Sequence, residues 1–241
     1  MIVNQHEKGW KIIYHRAHAL LAAQIAGHWH PKLRPKRWLE TIAAISHHDD
    51  LEKEWEGNHL TTVGAPRDFT LEKETDLDRM HQHAQNSRYR GRWVAMLISM
   101  HLSFLTEGKR GESKEIDAFL DEQLQNQQEW RKELNITKDD AAKAYAFFQW
   151  CDRLSLILCN NEIPMGDRAL EIAKDGDGQR YDILQRSDGN LTVMPWAFAE
   201  DEFTVHVEAC QLEQLQFENN DELATALQTA PIKTLEWTFS K

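Results

Sequence analysis

The chain has 241 residues, 41% of them hydrophobic, with 9 Trp and 9 Phe, enough for one large domain with a substantial core and too much for a disordered chain. Its formal net charge of -11 excludes a general nucleic-acid binder, which needs a basic face, but leaves room for a small anionic substrate at a local site. Cys151, Cys159 and Cys210 are sparse and form no CxxC pair, and neither a signal-like opening nor an apolar run of membrane-spanning length is present. Those features lead us to expect a reduced, soluble, cytoplasmic protein with no membrane association; oligomeric state is not readable.

In chain order, Met1–Gln5 and Trp10–Tyr14 are short β-type runs around His6–Gly9, a hairpin signal. His18, Leu21, Ala22 and Ile25 then fall on one helical stripe. Pro31 and Pro35 bracket a break. Trp38, Ile42 and Ile45 form the apolar face of a second helix, which runs into His47-His48-Asp49-Asp50. Asp50 to Gly64 turns polar, with loop signals at Gly57-Asn58 and Gly64-Ala65-Pro66.

Asp76 to Ser87 reads as a polar helix carrying His81 and His83. In Trp93 to Leu105, the residues Val94, Leu97, Ile98, His101 and Leu105 share a stripe, so His101 is expected to point inward. Ile116 to Leu134 is a long Gln-rich helix. Thr137-Lys138-Asp139-Asp140 has the composition of an N-cap. The helix after it carries Ala141, Ala144, Tyr145, Phe148, Asp152, Leu156 and Cys159 on one face, with Asp152 in mid-stripe. Beyond Pro164 the period changes: Tyr181–Gln185, Leu191–Met194, Phe203–Leu212 and Ile232–Phe239 read as strands, Asp188-Gly189-Asn190 as a hairpin turn, and Asp221–Gln228 as a short helix.

Four polar features therefore sit on inward helical faces: His18, the His48-Asp49 doublet, His101 and Asp152. A lone histidine on such a stripe is most often a hydrogen-bonded core residue. A buried carboxylate is rarer, because it costs several kcal/mol unless paired, roughly as for any buried charge. Imidazole nitrogens and carboxylate oxygens together suit a divalent metal such as zinc, iron or manganese.

The order of His18, His48-Asp49 after an apolar helix, and a distant Asp152 resembles the HD-domain superfamily of metal-dependent phosphohydrolases, with the helical body as the region of likeness. The layout also resembles a bacterial family of that type. The resemblance implies a mainly α fold: an HD-type helical bundle at 15–161, with 1–14 and 179–241 as a β-rich appendage holding a small antiparallel sheet of the N-terminal hairpin and C-terminal strands. It implies His18, His48, Asp49 and Asp152 as ligands of one ion (Mn, Zn, Ni, Mg or Fe). Where two ions are bound, Asp49 bridges them and His81 or His83, with His101, adds ligands.

The implied reaction is hydrolysis of a small phosphate ester or nucleotide by metal-activated water, with Asp49 and Arg153 as catalytic groups. Lys53, Arg79, Arg88, Arg90, Arg92 and Arg153 are candidate phosphate contacts, since guanidinium matches phosphate oxygens. Two further readings stand beside it: a di-iron oxygenase of the same superfamily, and a non-catalytic domain in which the histidines merely pack. His47–Asp50 is an alternative register for the doublet, and Asp50-Leu51-Glu52 stands where the superfamily often has a glycine.

Overall fold

The structure is a computed structural model that describes residues 1–51, 57–72 and 75–241. It opens with a β-hairpin, β1 (Ile2–His6) and β2 (Gly9–Ile13), and continues with helices α1 (His15–Gly27), α2 (Trp38–His47), α3 (Leu77–Ser87), α4 (Arg92–Glu107), α5 (Lys114–Glu133) and α6 (Lys138–Cys159). Then follow β3 (Leu170–Lys174), β4 (Arg180–Gln185), β5 (Leu191–Met194), β6 (Glu202–Leu212), α7 (Asn220–Thr229) and β7 (Ile232–Ser240). Four of these seven helices start on a side-chain cap. Asp76, Ser113, Thr137 and Asn219 each accept a hydrogen bond from the backbone NH three residues on, a contact worth about 1 kcal/mol per helix.

The strands form one seven-stranded sheet in the order β1-β2-β6-β7-β5-β4-β3. All neighbours pair antiparallel except β5 and β7, which run parallel at Leu191 and Phe239. With 47% helix, 21% strand and this curled mixed sheet, the fold is α/β. The expectation of a mainly α bundle with a small antiparallel sheet is therefore wrong. The physical reason is β7. The last strand in the chain inserts between β6 and β5, and so fuses the N-terminal hairpin and the C-terminal meander into a single layer. At Gly9 the join is so close that a Cβ would run into the Leu212 carbonyl, hence the glycine.

Alternation along β6 decides what the sheet covers. Phe203, Val205, Val207 and Ala209 are buried, while Glu202, Thr204, His206 and Glu208 are exposed. The buried row joins α1, α4 and α6 in one cluster with Ile183, Val193 and Phe239. On the opposite face α7 packs Leu223 and Leu227 against Ile12, Cys210 and Leu212. Tryptophans knit helix to sheet: the Trp29 ring lies 4.7 Å from Trp150 of α6 and 5.8 Å from Tyr181 of β4, centroid to centroid. The Gln-rich stripe of α5 also has a role. Gln127 Nε2 donates to Ser99 and Ser103 of α4, both at 3.1 Å, so the α4–α5 seam is partly hydrogen-bonded. Among the described residues, no helix is long and apolar enough to cross a membrane.

Candidate metal centre

The apolar stripe of α2 ends at Ile45, the helix itself at His47, and His48 caps it in helical conformation. His48 and Asp49 therefore sit at a helix C-terminus, where the aligned peptide dipoles favour a cation. Three other helices face this point: α1 with His18, α4 with His101 and α6 with Asp152. His18, His48 and Asp152 offer ligand atoms within 4.8 Å of one another, and so do His48, Asp49 and His101. Individual spacings are 2.5 Å for His18 Nε2 to Asp49 Oδ2, 3.1 Å for His48 Nε2 to Asp152 Oδ1 and 3.6 Å for His48 Nε2 to Asp49 Oδ2. Donors held at about 2.0–2.3 Å from one ion are separated by distances of this order.

Hydrogen bonds set which ring nitrogen faces the centre. His48 Nδ1–H donates to the Ile45 carbonyl at 2.6 Å, which turns Nε2 toward the carboxylates. The Ser155 hydroxyl spends its hydrogen on the Asp152 carbonyl at 2.8 Å, so its oxygen accepts from His18 Nδ1–H at 2.9 Å and His18 Nε2 faces Asp49. His101 Nδ1 lies 3.4 Å from the Tyr145 hydroxyl. Metal-binding histidines are oriented by partners of this kind. Two features need a cation. A ring nitrogen and a carboxylate oxygen at 2.5 Å attract only through a shared proton or metal ion. Asp152 Oδ1 is buried and, despite its closeness to His48, has no aligned hydrogen bond among the described residues. The donor set and that orphaned oxygen fit a divalent metal.

Electrostatics agree. Burial works against charge on His48, but Asp49 and then Asp152 outweigh it and hold the imidazole up at about 10. For Asp49 and Asp152 burial likewise opposes ionisation, and His48 prevails, keeping both carboxyls below their ordinary value. Burial, with the His48 charge second, pushes His101 down to about 4, so its ring is neutral with a lone pair to offer.

The site floors a cavity of about 430 Å³ walled by residues that include Arg67, Phe69 and Arg79. His15, one turn before His18, also lines it, buried with Nδ1 3.8 Å from Asp49 Oδ2. Burial is the chief cause that lowers its pKa to about 3. His15, Ser155 and Arg67 are site residues that the sequence reading missed. His15 and Ser155 stand three residues from His18 and Asp152 on the same helical faces, a signal that was available.

Other expectations need correction. His81 points away: its Nδ1 lies 3.5 Å from Glu122 and its ring stacks edge-on against Phe119. His83 is nearer, but its Nε2 donates to the His48 carbonyl at 3.0 Å, so it braces the doublet from behind and belongs to neither ligand group. Arg153 pairs with Glu162 at 2.9 Å and lines neither this cavity nor its neighbour, because consecutive helical residues project about 100° apart. The alternative register separates cleanly: His47 meets Asp50 at 2.9 Å, both partly exposed, outside the cluster. Of the remaining candidate phosphate contacts, Arg88 lies over the Trp130 ring, Arg92 pairs with Glu133, Arg90 reaches Asp50, and Lys53 lies outside the described residues.

No curated protein and no solved structure matches the chain. Residues 1–214, which take in the whole candidate centre, match the family described as "Protein of unknown function (DUF3891)". With that match covering most of its length, the chain belongs to the DUF3891 family.

Proposed function

We propose that this chain is a metal-dependent hydrolase of the HD-domain type, acting on a small phosphate ester or nucleotide. The observation that carries the reading is the convergence of His18, His48, Asp49, His101 and Asp152 on one point at the floor of a cavity large enough for a small molecule. Three imidazoles beside two carboxylates suit manganese, zinc, iron or nickel better than magnesium. Both ligand groups share His48, whose Nδ1 is committed to Ile45; one remaining lone pair serves one ion. One ion per chain is therefore the expected content. Such an ion supplies Lewis acidity at a phosphoryl oxygen and lowers the pKa of a coordinated water toward neutrality.

The residues of the chain do the rest. His18, His48, His101 and Asp152 would hold the ion, the three rings being oriented already by Ser155, Ile45 and Tyr145. Asp49, held ionised well below its ordinary value and therefore a weak base, would join the ligands of the ion, and the attacking water would lose its proton to solvent in the cavity. The water oxygen bonds to phosphorus as the bond to the leaving oxygen breaks. Arg67 and Arg79 on the cavity wall, one paired with Glu72 at 2.9 Å and the other with Asp76 at 3.2 Å, would turn their remaining guanidinium donors to the phosphate oxygens.

The test is metal analysis of chain purified without chelator, followed by turnover of p-nitrophenyl phosphate and a nucleotide panel with each divalent ion. We expect one ion per chain, turnover lost on chelation, and a loss of at least about 100-fold in Asp49→Ala. Loaded protein that hydrolyses none of the panel defeats the reading, and two bound irons with oxygen consumption would replace it with the oxygenase.

A further inference from the structure

Beside the metal cavity lies a second one of about 600 Å³, lined among others by Arg16, Asp50, Arg79, Gln82, His83 and Arg90. The two adjoin: Arg79 and Leu51 line both, and His83, bonded to the His48 carbonyl, stands between the second cavity and the doublet. In a protein of net charge -11, three guanidinium groups at one opening is an imbalance with a local cause.

Among the described residues the charges around it do not close. Asp50 serves Arg90 at 3.3 Å, Arg16 at 3.9 Å and His47 at 2.9 Å, while Arg79 turns its Nε toward Asp76 at 3.2 Å. Each guanidinium carries five N–H donors, and a single carboxylate with about four acceptor positions satisfies few of those held by Arg16 and Arg90 together. Their contacts to Asp50 are long, and that carboxylate also accepts from His47. The cavity thus offers positive charge and spare donors in fork geometry, which match a planar or tetrahedral oxyanion. Gln82 and Asn86, one turn apart on α3, add amides to the same wall. The basic run Arg88-Tyr89-Arg90-Gly91-Arg92 contributes only Arg90 as a charged group here, since Arg88 is spent on Trp130 and Arg92 on Glu133.

We propose that this second cavity binds an anionic group, phosphate or carboxylate, at the far end of a substrate whose reacting end sits at the metal centre. The proposal rests on the hydrolase reading for the reacting end, and it narrows the substrate class to esters with two anionic ends. The pocket itself stands on Arg16, Arg79 and Arg90 and holds without a metal.

The test is calorimetric titration of EDTA-dialysed protein with inorganic phosphate and, separately, with acetate. Arg16 and Arg90 line the second cavity and not the first, so saturable binding that weakens in their variants reports the second cavity. We expect one site per chain, weakened about tenfold in Arg16→Gln and again in Arg90→Gln, as for loss of one charge-assisted contact. The tighter of the two probes names the group. Metal content of each variant should equal that of wild type, which also shows that it folds. Absence of saturable binding, or equal affinity in wild type and both variants, overturns the proposal and leaves these arginines as partners of Asp50. Failure of the hydrolase reading would show instead as loaded protein without turnover, with this titration intact.

Discussion

Replacing His48 and His47 in turn separates two adjacent histidines whose environments differ sharply. His48 is 2% exposed and in the metal-free chain stands between Asp49 and Asp152. His48→Ala takes the nearest cation from Asp152 and leaves Asp49 its contact with His18. Removing one partner of a buried charge pair costs about 3–5 kcal/mol, toward the lower end here because a carboxylate can take up a proton instead. For a chain of this length each kcal/mol moves the thermal midpoint by about 2–4 °C, so the metal-free variant should melt about 6–20 °C lower. His47 and Asp50 have side chains 34% and 29% exposed, and a pair of that kind contributes about 0–1 kcal/mol, a shift under about 4 °C. Added metal sharpens the contrast. At a thousandfold excess over Kd, binding stabilises wild type by about 4 kcal/mol. His47→Ala should keep that increment and His48→Ala should lose most of it. Scanning calorimetry with EDTA and with excess manganese or zinc reads all of these quantities. A metal-induced shift that survives in His48→Ala and vanishes in His47→Ala would refute the argument and put the doublet one residue out.

The pH dependence of the metal-free fold follows from the same groups. His48 is held above its ordinary 6.5, so its pairing stabilises fully below that pH and is lost as pH rises through about 10; Asp49 and Asp152, held below 3.8, stabilise above that value and lose it in acid. The midpoint should fall steadily from about pH 7 to about pH 10 in EDTA, and a flat profile there removes His48 as a cation. Metal must also displace that proton, so calorimetry near pH 7 in buffers of different ionisation enthalpy should show at least about one proton released per ion. Ser155→Ala frees the His18 ring and should weaken metal binding about 10- to 100-fold against a chromogenic chelator; unchanged affinity would make Ser155 a bystander. Arg153→Gln breaks only the Glu162 pair and should leave metal content and turnover as they are.

Local chemistry in the sequence carried much of the element list, and long-range pairing carried the part that was lost. Helix starts at Asp76 and Thr137 were readable because a short side chain that accepts from its own backbone leaves a compositional mark. β6 was readable because one face is buried and one is wet, which forces strict alternation. β3 was not: at Leu170–Lys174 only Ile172 is buried, so a five-residue edge strand shows no pattern. The class of the fold failed for a different reason. That Ile232–Ser240 is a strand is local information, but that it lies between β5 and β6 is a property of the sheet as a whole. Read as an appendage, the strands made the helices look like the entire fold.

The centre was legible because burial makes polar residues conspicuous. His18, His101 and Asp152 each interrupt an apolar helical stripe, and an interior carboxylate or imidazole must be answered by a partner. The same logic misassigned His81 and His83: α3 buries one stripe of Met80, His83, Ala84 and Ser87, which turns His83 to the His48 carbonyl, while His81 lies off it against Phe119. Arg153 was chosen for nearness along the chain, whereas nearness on a helix runs at three and four residues. Applied consistently, that spacing selects His15 from His18 and Ser155 from Asp152, the two positions the reading passed over. It also explains why the orienting groups accompany the ligands on the same helices. A residue one turn away is already fixed in distance and direction by the backbone, so α1 and α6 deliver ring, carboxylate and hydroxyl to the centre in one rigid geometry. Arg16, Asp50 and Arg90 come from separate elements, and only the packing of α1 beside the α2 terminus and α3 brings them to one opening.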